Sequence, residues 1–560
     1  MSPHRGCRFL AALALLVFSQ LLPAAAQIIP SSELPGRARE RFEQPRAPLS
    51  QPGGAVVSLP STVAPEGAEK LMVTVRGVRI VGGTVYSAED LEPLYRDIIG
   101  REVPVTVIYD LAQRITAKYG ADGYVLSRAI VPPQELSPRG AVVTIQIIEG
   151  YIDRVEWPAA LSKYRDFFSH YTAKIIAERP INVKTLERYL LLASDLPGLK
   201  FKNSLKASPK NPGAATLVVE VAEKPVDVTA RVDNRGTKAR GPMQYFGSIN
   251  VNNLGRVHEA WTLAQAGAFQ VTELQYWMLS YRQVLTSEGL TLFVNNSYTR
   301  GKPGTEILQL LEYKTRGDLF EAGMSYPFIR SREKNLIGTA LFFISNDRSD
   351  ILGTLNTLDR LRGVRLRVDS DFVDPLRAIN QINLVVSQGF DVPGASNPGS
   401  LNLSRANGDP AFTRVEATFS RLQPLPWNFS VLLAAYTQWS RTPLLAPELC
   451  GYGGRVFGRA FDPSELVADQ CVELLGELRY DVPHTLQNIT QLQLYGYADR
   501  GWLHNLAPVP GTPENVDGAS VGGGLRLGLQ PGLTVDLSAA KGVAGIRDEW
   551  RFFFITTGRY

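Results

Sequence analysis

Side chains able to make or break bonds are sparse in this 560-residue chain. Its five histidines, His4, His170, His258, His484 and His504, are scattered. No Gly-x-Ser-x-Gly elbow, phosphate-binding glycine loop or His-Glu-x-x-His helix occurs. No nucleophile has a visible base, so neither an enzyme, a metal centre nor a cofactor is expected. The cysteines offer the remaining chemistry. Cys7 precedes an apolar N-terminal stretch, which leaves Cys450 and Cys471 on either side of a glycine-rich segment containing Arg459. Two cysteines in an oxidising compartment usually pair. A disulfide at the base of that segment would close about 20 residues and stabilise by roughly 3 kcal/mol in the chain-entropy model. Two free thiols or a metal site are the alternatives, and no histidine cluster supports metal.

The elements that would position these residues begin with an export signal at 1–26. Arg5 and Arg8 precede an apolar run from Phe9 to Leu22, and Ala24-Ala25-Ala26 forms a small-residue cleavage site before Gln27. Residues 27–70 carry many prolines and read as a linker. A short helix around Ser32–Gln44 that begins at Pro35 and a leader without structure are the two readings of it. Nothing after Gln27 approaches 18 consecutive apolar residues, so a helical span is not expected. An exported chain of this kind can lodge in the outer membrane only as a closed barrel, which satisfies every backbone polar group in lipid. The formal charge of +5, without a basic stripe, gives no reason to expect nucleic acid.

Residues 71–150 and 151–225 read as two copies of one small α+β module. In the first, Val73, Val75 and Ile80 mark a strand. Ser87 caps a helix carrying Leu91, Leu94, Tyr95 and Ile98. Ile108, Leu111, Ala112, Ile115 and Tyr119 recur at helical spacing. Strands at Tyr124–Val131 and Ala141–Ile148 complete a β-α-α-β-β order. The second copy has a strand at Tyr151–Trp157, helices marked by Leu161 to Ile175 and Leu186 to Ala193, and strands at Phe201–Ala207 and Ala215–Glu223.

From Val226 to Tyr560 the helical period gives way to alternation. Leu492, Leu494, Gly496 and Ala498 share one strand face, and Gln491, Gln493, Tyr495, Tyr497 and Asp499 share the other. Ile382, Leu384 and Val386 oppose Gln381, Asn383 and Ser387 in the same way. Lipid on one side and a wet lumen on the other produces this pattern. A soluble sandwich would also alternate. Aromatics near strand ends (Trp261, Trp277, Trp427, Trp439) and a terminal run of Trp550, Phe552, Phe554 and Tyr560 favour the membrane. Sixteen strands of about 21 residues fit the available length, while 14 or 18 also satisfy the count.

Four stretches resemble the transporters of two-partner secretion, the TpsB family of haemolysin and filamentous-adhesin secretors within the wider superfamily of the barrel-assembly protein BamA. Ile115-Thr116, Tyr119, Gly123-Tyr124, Ser127-Arg128-Ala129, Pro133-Gln134 and Glu149-Gly150-Tyr151 look like the first POTRA (polypeptide-transport-associated) domain. Gly458-Arg459-Ala460-Phe461 is similar to the family's Arg-Gly-Phe/Tyr motif on a loop folded into the barrel, with Ala460 in place of glycine. Tyr497-Ala498-Asp499-Arg500-Gly501 resembles the motif of an inner strand. Phe552, Phe554 and Tyr560 resemble the C-terminal insertion signal. The fold implied is two periplasmic POTRA modules followed by an antiparallel transmembrane barrel, with residues 27–70 either a linker or a helix plugging the pore as the family's N-terminal helix does.

Alternation places Asp499 in the lumen, where a lone carboxylate is unfavourable unless paired. Arg459, on a loop long enough to reach inward, is the expected partner, and its planar fork suits a carboxylate. In the family the equivalent pair locks the loop, while a solvated Arg459 and Asp499 are the alternative. The resemblance implies an unfolded exoprotein of filamentous-haemagglutinin or haemolysin type as partner, outer-membrane lipid as surroundings, and the barrel-assembly machinery for insertion. An assembly factor of the BamA kind is the rival reading, disfavoured because 72–224 has room for only two POTRA copies.

Overall fold

The computed structural model describes residues 29–34, 36–37, 41–42, 47–53, 63–137, 140–208, 211–508 and 512–560. The signal expected at 1–26 lies outside them. No helix among the described residues is long and apolar enough to cross a membrane.

The first module contains β1 (Met72–Val81), β2 (Glu102–Pro104), β3 (Arg128–Ile130) and β4 (Ala141–Ile148), in the sheet order β2-β1-β4-β3. The helix Thr106–Ala121 seals its core. Ile108, Leu111, Ala112, Ile115 and Tyr119 all lie on the buried stripe. Three expectations change. The helix capped by Ser87 covers only Ala88–Leu91 before tightening to a 3-10 turn at Glu92–Leu94, because Pro93 has no N–H to continue it. The strand expected at Tyr124–Val131 shrinks to Arg128–Ile130, and β2 adds a short edge strand to the expected order.

The second module pairs β5 (Tyr151–Glu156), β6 (Leu199–Ala207) and β7 (Ala214–Glu223) as β5-β7-β6, leaving β6 as an edge. Helices Arg165–Ala177 and Val183–Ser194 cover one face through Phe168, Tyr171, Leu186 and Leu192.

The remaining chain closes into a barrel of 16 strands. These are β8 (Val226–Asp233), β9 (Gln244–Asn252), β10 (Glu259–Ala268), β11 (Gln275–Val284), β12 (Thr291–Gly301), β13 (Lys314–Arg330), β14 (Lys334–Ile351), β15 (Thr354–Val373), β16 (Ile379–Gly389), β17 (Thr413–Pro424) and β18 (Phe429–Ser440). After a long connection holding the hairpin β19 (Cys450–Tyr452) and β20 (Leu466–Ala468) come β21 (Gln470–Asp481), β22 (Ile489–His504), β23 (Asn515–Leu529), β24 (Leu533–Ala544) and β25 (Trp550–Arg559). Every neighbouring pair in the barrel is antiparallel, and β25 closes on β8 from Ile555↔Asp233 to Arg559↔Thr229. The alternation sorts as expected, with Leu494 half exposed on the outer wall while Tyr495, Tyr497 and Asp499 are buried inside. Tyr560 follows the last strand, and Phe553, between Phe552 and Phe554, points inward beneath Arg235.

The second module rests on the barrel's near rim. Arg330 grips Asp195 through both carboxylate oxygens, at 2.7 and 2.8 Å. Glu288 accepts from Tyr189 and Arg188, and His258 nests against Tyr164 and Phe167. These contacts fix the turns β9–β10, β11–β12 and β13–β14 on the module side.

Candidate functional site

The connection between β18 and β21 folds into the lumen. Its 3-10 turn at Ala446–Glu448 is fully buried, and the β19–β20 hairpin carries the tip, residues 453–465, onto the inner faces of β21, β22 and β23. Cys450 and Cys471 lie with Cα atoms 6.4 Å apart and their sulfurs in contact, within the span a disulfide requires.

Asp499 receives the tip. Its Oδ1 accepts from Gly458 N at 3.0 Å and Tyr452 OH at 2.5 Å, and its Oδ2 accepts from Ser520 Oγ at 2.7 Å and Arg459 N at 3.4 Å. A buried carboxylate satisfied by four donors needs no cation. The expected guanidinium–carboxylate pair between Arg459 and Asp499 therefore does not form. Arg459 instead donates to Glu477 Oε2 at 2.5 Å and lies over the Tyr497 ring at 4.3 Å. Glu477 also accepts from Arg479 at 2.7 Å and Arg526 at 2.9 Å. This pairing has a simple physical origin: three arginines around one buried carboxylate need that carboxylate more than Asp499 needs a cation.

Two glycines matter. Gly458 has φ +62°, and a Cβ there would meet Gly453 N at 2.7 Å, so the tight turn belongs to this residue. Gly501 lies under Tyr452, whose ring would be 2.4 Å from an added Cβ. Ala460 is buried and absent from the left-handed backbone positions, so its methyl is accommodated. The barrel wall clamps the tip from the other side. Arg235 donates to Arg459 O at 2.7 Å, and Arg551 donates to Ala460 O at 2.8 Å and to Asp462 at 2.6 Å. Sequence reading missed Glu477, Arg235 and Arg551. Glu477 was legible as an inward carboxylate, but alternation does not rank it against Asp499.

A second occupant shares the lumen. Glu33 accepts from Arg240 at 2.5 Å and Thr237 at 2.9 Å near the far rim. Phe42 packs on Tyr276, and Ser50 N donates to Asp371 at 2.7 Å near the module-side rim. The described residues of the proline-rich segment thus pass through the barrel. Arg37 donates to Leu449 O and Ser464 of the folded-in loop, and Arg455 donates to Arg41 O. Of the helix expected at Ser32–Gln44, Pro35, residues 38–40 and residues 43–44 lie outside the described residues. A 3-10 turn occupies Ser31–Glu33.

The motif residues of the first module hold its sheet together. Glu149 accepts from Thr84 N and Oγ1, Val85 N and Tyr119 OH. Burial alone would raise its pKa, but these hydrogen bonds outweigh it and hold the carboxyl below its ordinary value. Gln134 pairs with Thr144 N and O through its side-chain amide, each at 2.8 Å, and so acts as an extra strand residue.

Two small modules leading into a 16-strand barrel whose lumen is filled by a folded-in loop define an outer-membrane transporter of polypeptides. Residues 73–150 match the POTRA domain of ShlB type, and residues 213–527 match the haemolysin secretion/activation protein family ShlB/FhaC/HecB, to which the chain belongs. The outer membrane transporter CdiB of Escherichia coli is 22% identical over 486 residues, covering 83% of this chain and 79% of that protein. The heme/hemopexin transporter protein HuxB of Haemophilus influenzae (strain 86-028NP) is 26% identical over 168 residues, covering 30% and 29%. Solved CdiB from Escherichia coli superposes with TM-score 0.69 at 18% identity over 90% of this chain and 94% of that one. CdiB from Acinetobacter baumannii gives 0.59 at 17% identity over 96% and 99%. The protein is a two-partner secretion transporter of the outer membrane, with its POTRA modules in the periplasm.

Proposed function

We propose that this transporter captures an extended exoprotein of filamentous-haemagglutinin or haemolysin type on the open edge of β6 and passes it through a lumen that must first be cleared. The β6 edge carries the capture step. Nine residues long, it pairs among the described strands with β7 alone, which leaves its outer N–H and C=O groups to add a strand. The supporting observation for clearance is the lumen itself, occupied by the Arg459 loop and by the described residues between Glu33 and Phe42, each held by buried ion pairs. The partner is expected to be a large repetitive β-helical protein encoded beside this gene. Folding of the exported chain outside supplies direction, since neither nucleotide nor proton gradient is available at that membrane. Insertion of the barrel itself is assigned to the barrel-assembly machinery, read through Phe552, Phe554 and Tyr560.

The test is secretion of that neighbouring partner by strains carrying Lys202→Pro or Asn203→Pro. Successive residues alternate their N–H groups between β7 and the free edge, so one of the two variants removes a free-edge donor. Surface yield should fall in that variant while barrel heat-modifiability is kept. Normal export by both would rule out strand addition at β6.

A further inference from the structure

The outer wall carries an unexplained row of arginines on strands β12 to β15. On β13, β14 and β15 the lipid-facing stripe runs through Met324 and Phe320, Phe342 and Ile344, and Leu366 and Val364. Above it, away from the POTRA modules, the next two outward positions carry Asp318 and Arg316, Asn346 and Arg348, and Arg362 and Arg360. On β12, Tyr298 is followed outward by Arg300. The flanking strands end their stripes in neutral residues, Gln275 on β11 and Gln388 on β16.

The register makes this sector costly. Arg300 faces Arg316 directly, and Arg316 faces Arg348. Like charges directly opposite on adjacent strands are destabilising. Local partners compensate only part of it. Arg348 pairs with Asp350 at 2.6 Å, and Arg300 donates to Gln275 at 2.8 Å. Arg362 donates to Ser345 O and Asn346. Arg316 and Arg360 are exposed and make no ion pair with a described residue. Asp318, beside Arg316, and Asp350 are the acids among these outward strand positions.

We propose that this ridge binds the phosphate groups of the glycolipid that forms the outer leaflet of the outer membrane. Guanidinium forks match phosphate oxygens bidentately. An anion lodged between directly opposed arginines converts their repulsion into shared attraction. The height is appropriate, because the arginines start where the apolar stripe ends, at the level of headgroups rather than acyl chains. Outward basic residues elsewhere, Arg500 on β22 and Lys541 on β24, pair with Asp517 and Asp548, so the arginines lacking an acid partner cluster on these four strands.

Bis-phosphorylated lipid A titrated onto the detergent-solubilised full-length protein, read by native mass spectrometry, tests the proposal. The variant Arg300→Gln, Arg316→Gln, Arg348→Gln, Arg360→Gln adopts the neutral chemistry of the flanking strands and should bind at least about tenfold more weakly. Fully dephosphorylated lipid A should bind the parent as weakly as bis-phosphorylated lipid binds the variant. Equal affinity of parent and variant, or of the two lipids, overturns the site. Equal binding of phosphatidylglycerol overturns its assignment to the glycolipid. Should the fourfold variant lose heat-modifiable mobility, Arg316→Gln and Arg360→Gln are measured singly, and unchanged affinity in both rejects the proposal.

Discussion

Asp499 illustrates how a carboxylate can be buried without an ion pair. Two backbone N–H groups and two hydroxyls converge on it, and the loop tip is thereby fixed through its main chain. Arg459 and Glu477 form a separate lock. Removing one partner of a buried charge pair typically costs about 3–5 kcal/mol. A double-mutant cycle between Arg459→Ala and Glu477→Ala, read by the heat-modifiability midpoint, should show coupling of about 1–3 kcal/mol. The Arg459→Ala and Asp499→Asn cycle should show much less, because alanine keeps the N–H that Asp499 accepts. Larger coupling in the second cycle would restore the guanidinium–Asp499 pair. Cys450 and Cys471 should resist alkylation until reductant is added, and replacing both with serine should cost roughly 3 kcal/mol. Full alkylation without reductant would disprove the bond. At this scale the sequence exposed the participants but not their partners. Gly458, Arg459, Asp499 and the cysteines stand out by type and spacing, whereas the choice between Asp499 and Glu477 depends on how far each lies from a loop whose path only folding determines.

Elements were more legible than pairings. The helix Thr106–Ala121 and the barrel strands follow from periodicity alone, since one buried face is enough to impose it. The failures have local causes: Pro93 cut a helix short, and β2 is too brief to carry a period. The joint between the second module and the barrel was not readable, because it joins residues far apart in sequence. His258 lies at its centre, packed on Tyr164 and Phe167. Burial lowers its pKa to about 4 from 6.5, with Glu259 opposing only in part. A neutral folded histidine contributes stability that is complete above about pH 6.5 and declines as pH falls toward 4. Protection factors at the β9–β10 turn, which correct for the intrinsic pH dependence of amide exchange, should therefore fall across that window, and His258→Phe should abolish the fall. Protection factors independent of pH in the parent would show that the ring is not desolvated there.

At the scale of the whole molecule, the barrel is a closed cylinder holding two guests. Length and alternation gave its strand number within a narrow choice, but the threading of the proline-rich segment left no periodic signal, because its contacts are polar and dispersed. Glu33→Gln should loosen that segment from Arg240 and raise the fraction of open events in planar-bilayer recordings several-fold. Unchanged traces would mean that the segment does not limit conductance. Arg37 reaches from the segment to Leu449 and Ser464, while Arg455 reaches back to Arg41. The two guests are thus knotted by reciprocal arms, and pulling either one tugs on the other. Their departure should register as one concerted jump in current rather than two independent steps, with a shared dwell time that shortens when either arginine arm is cut.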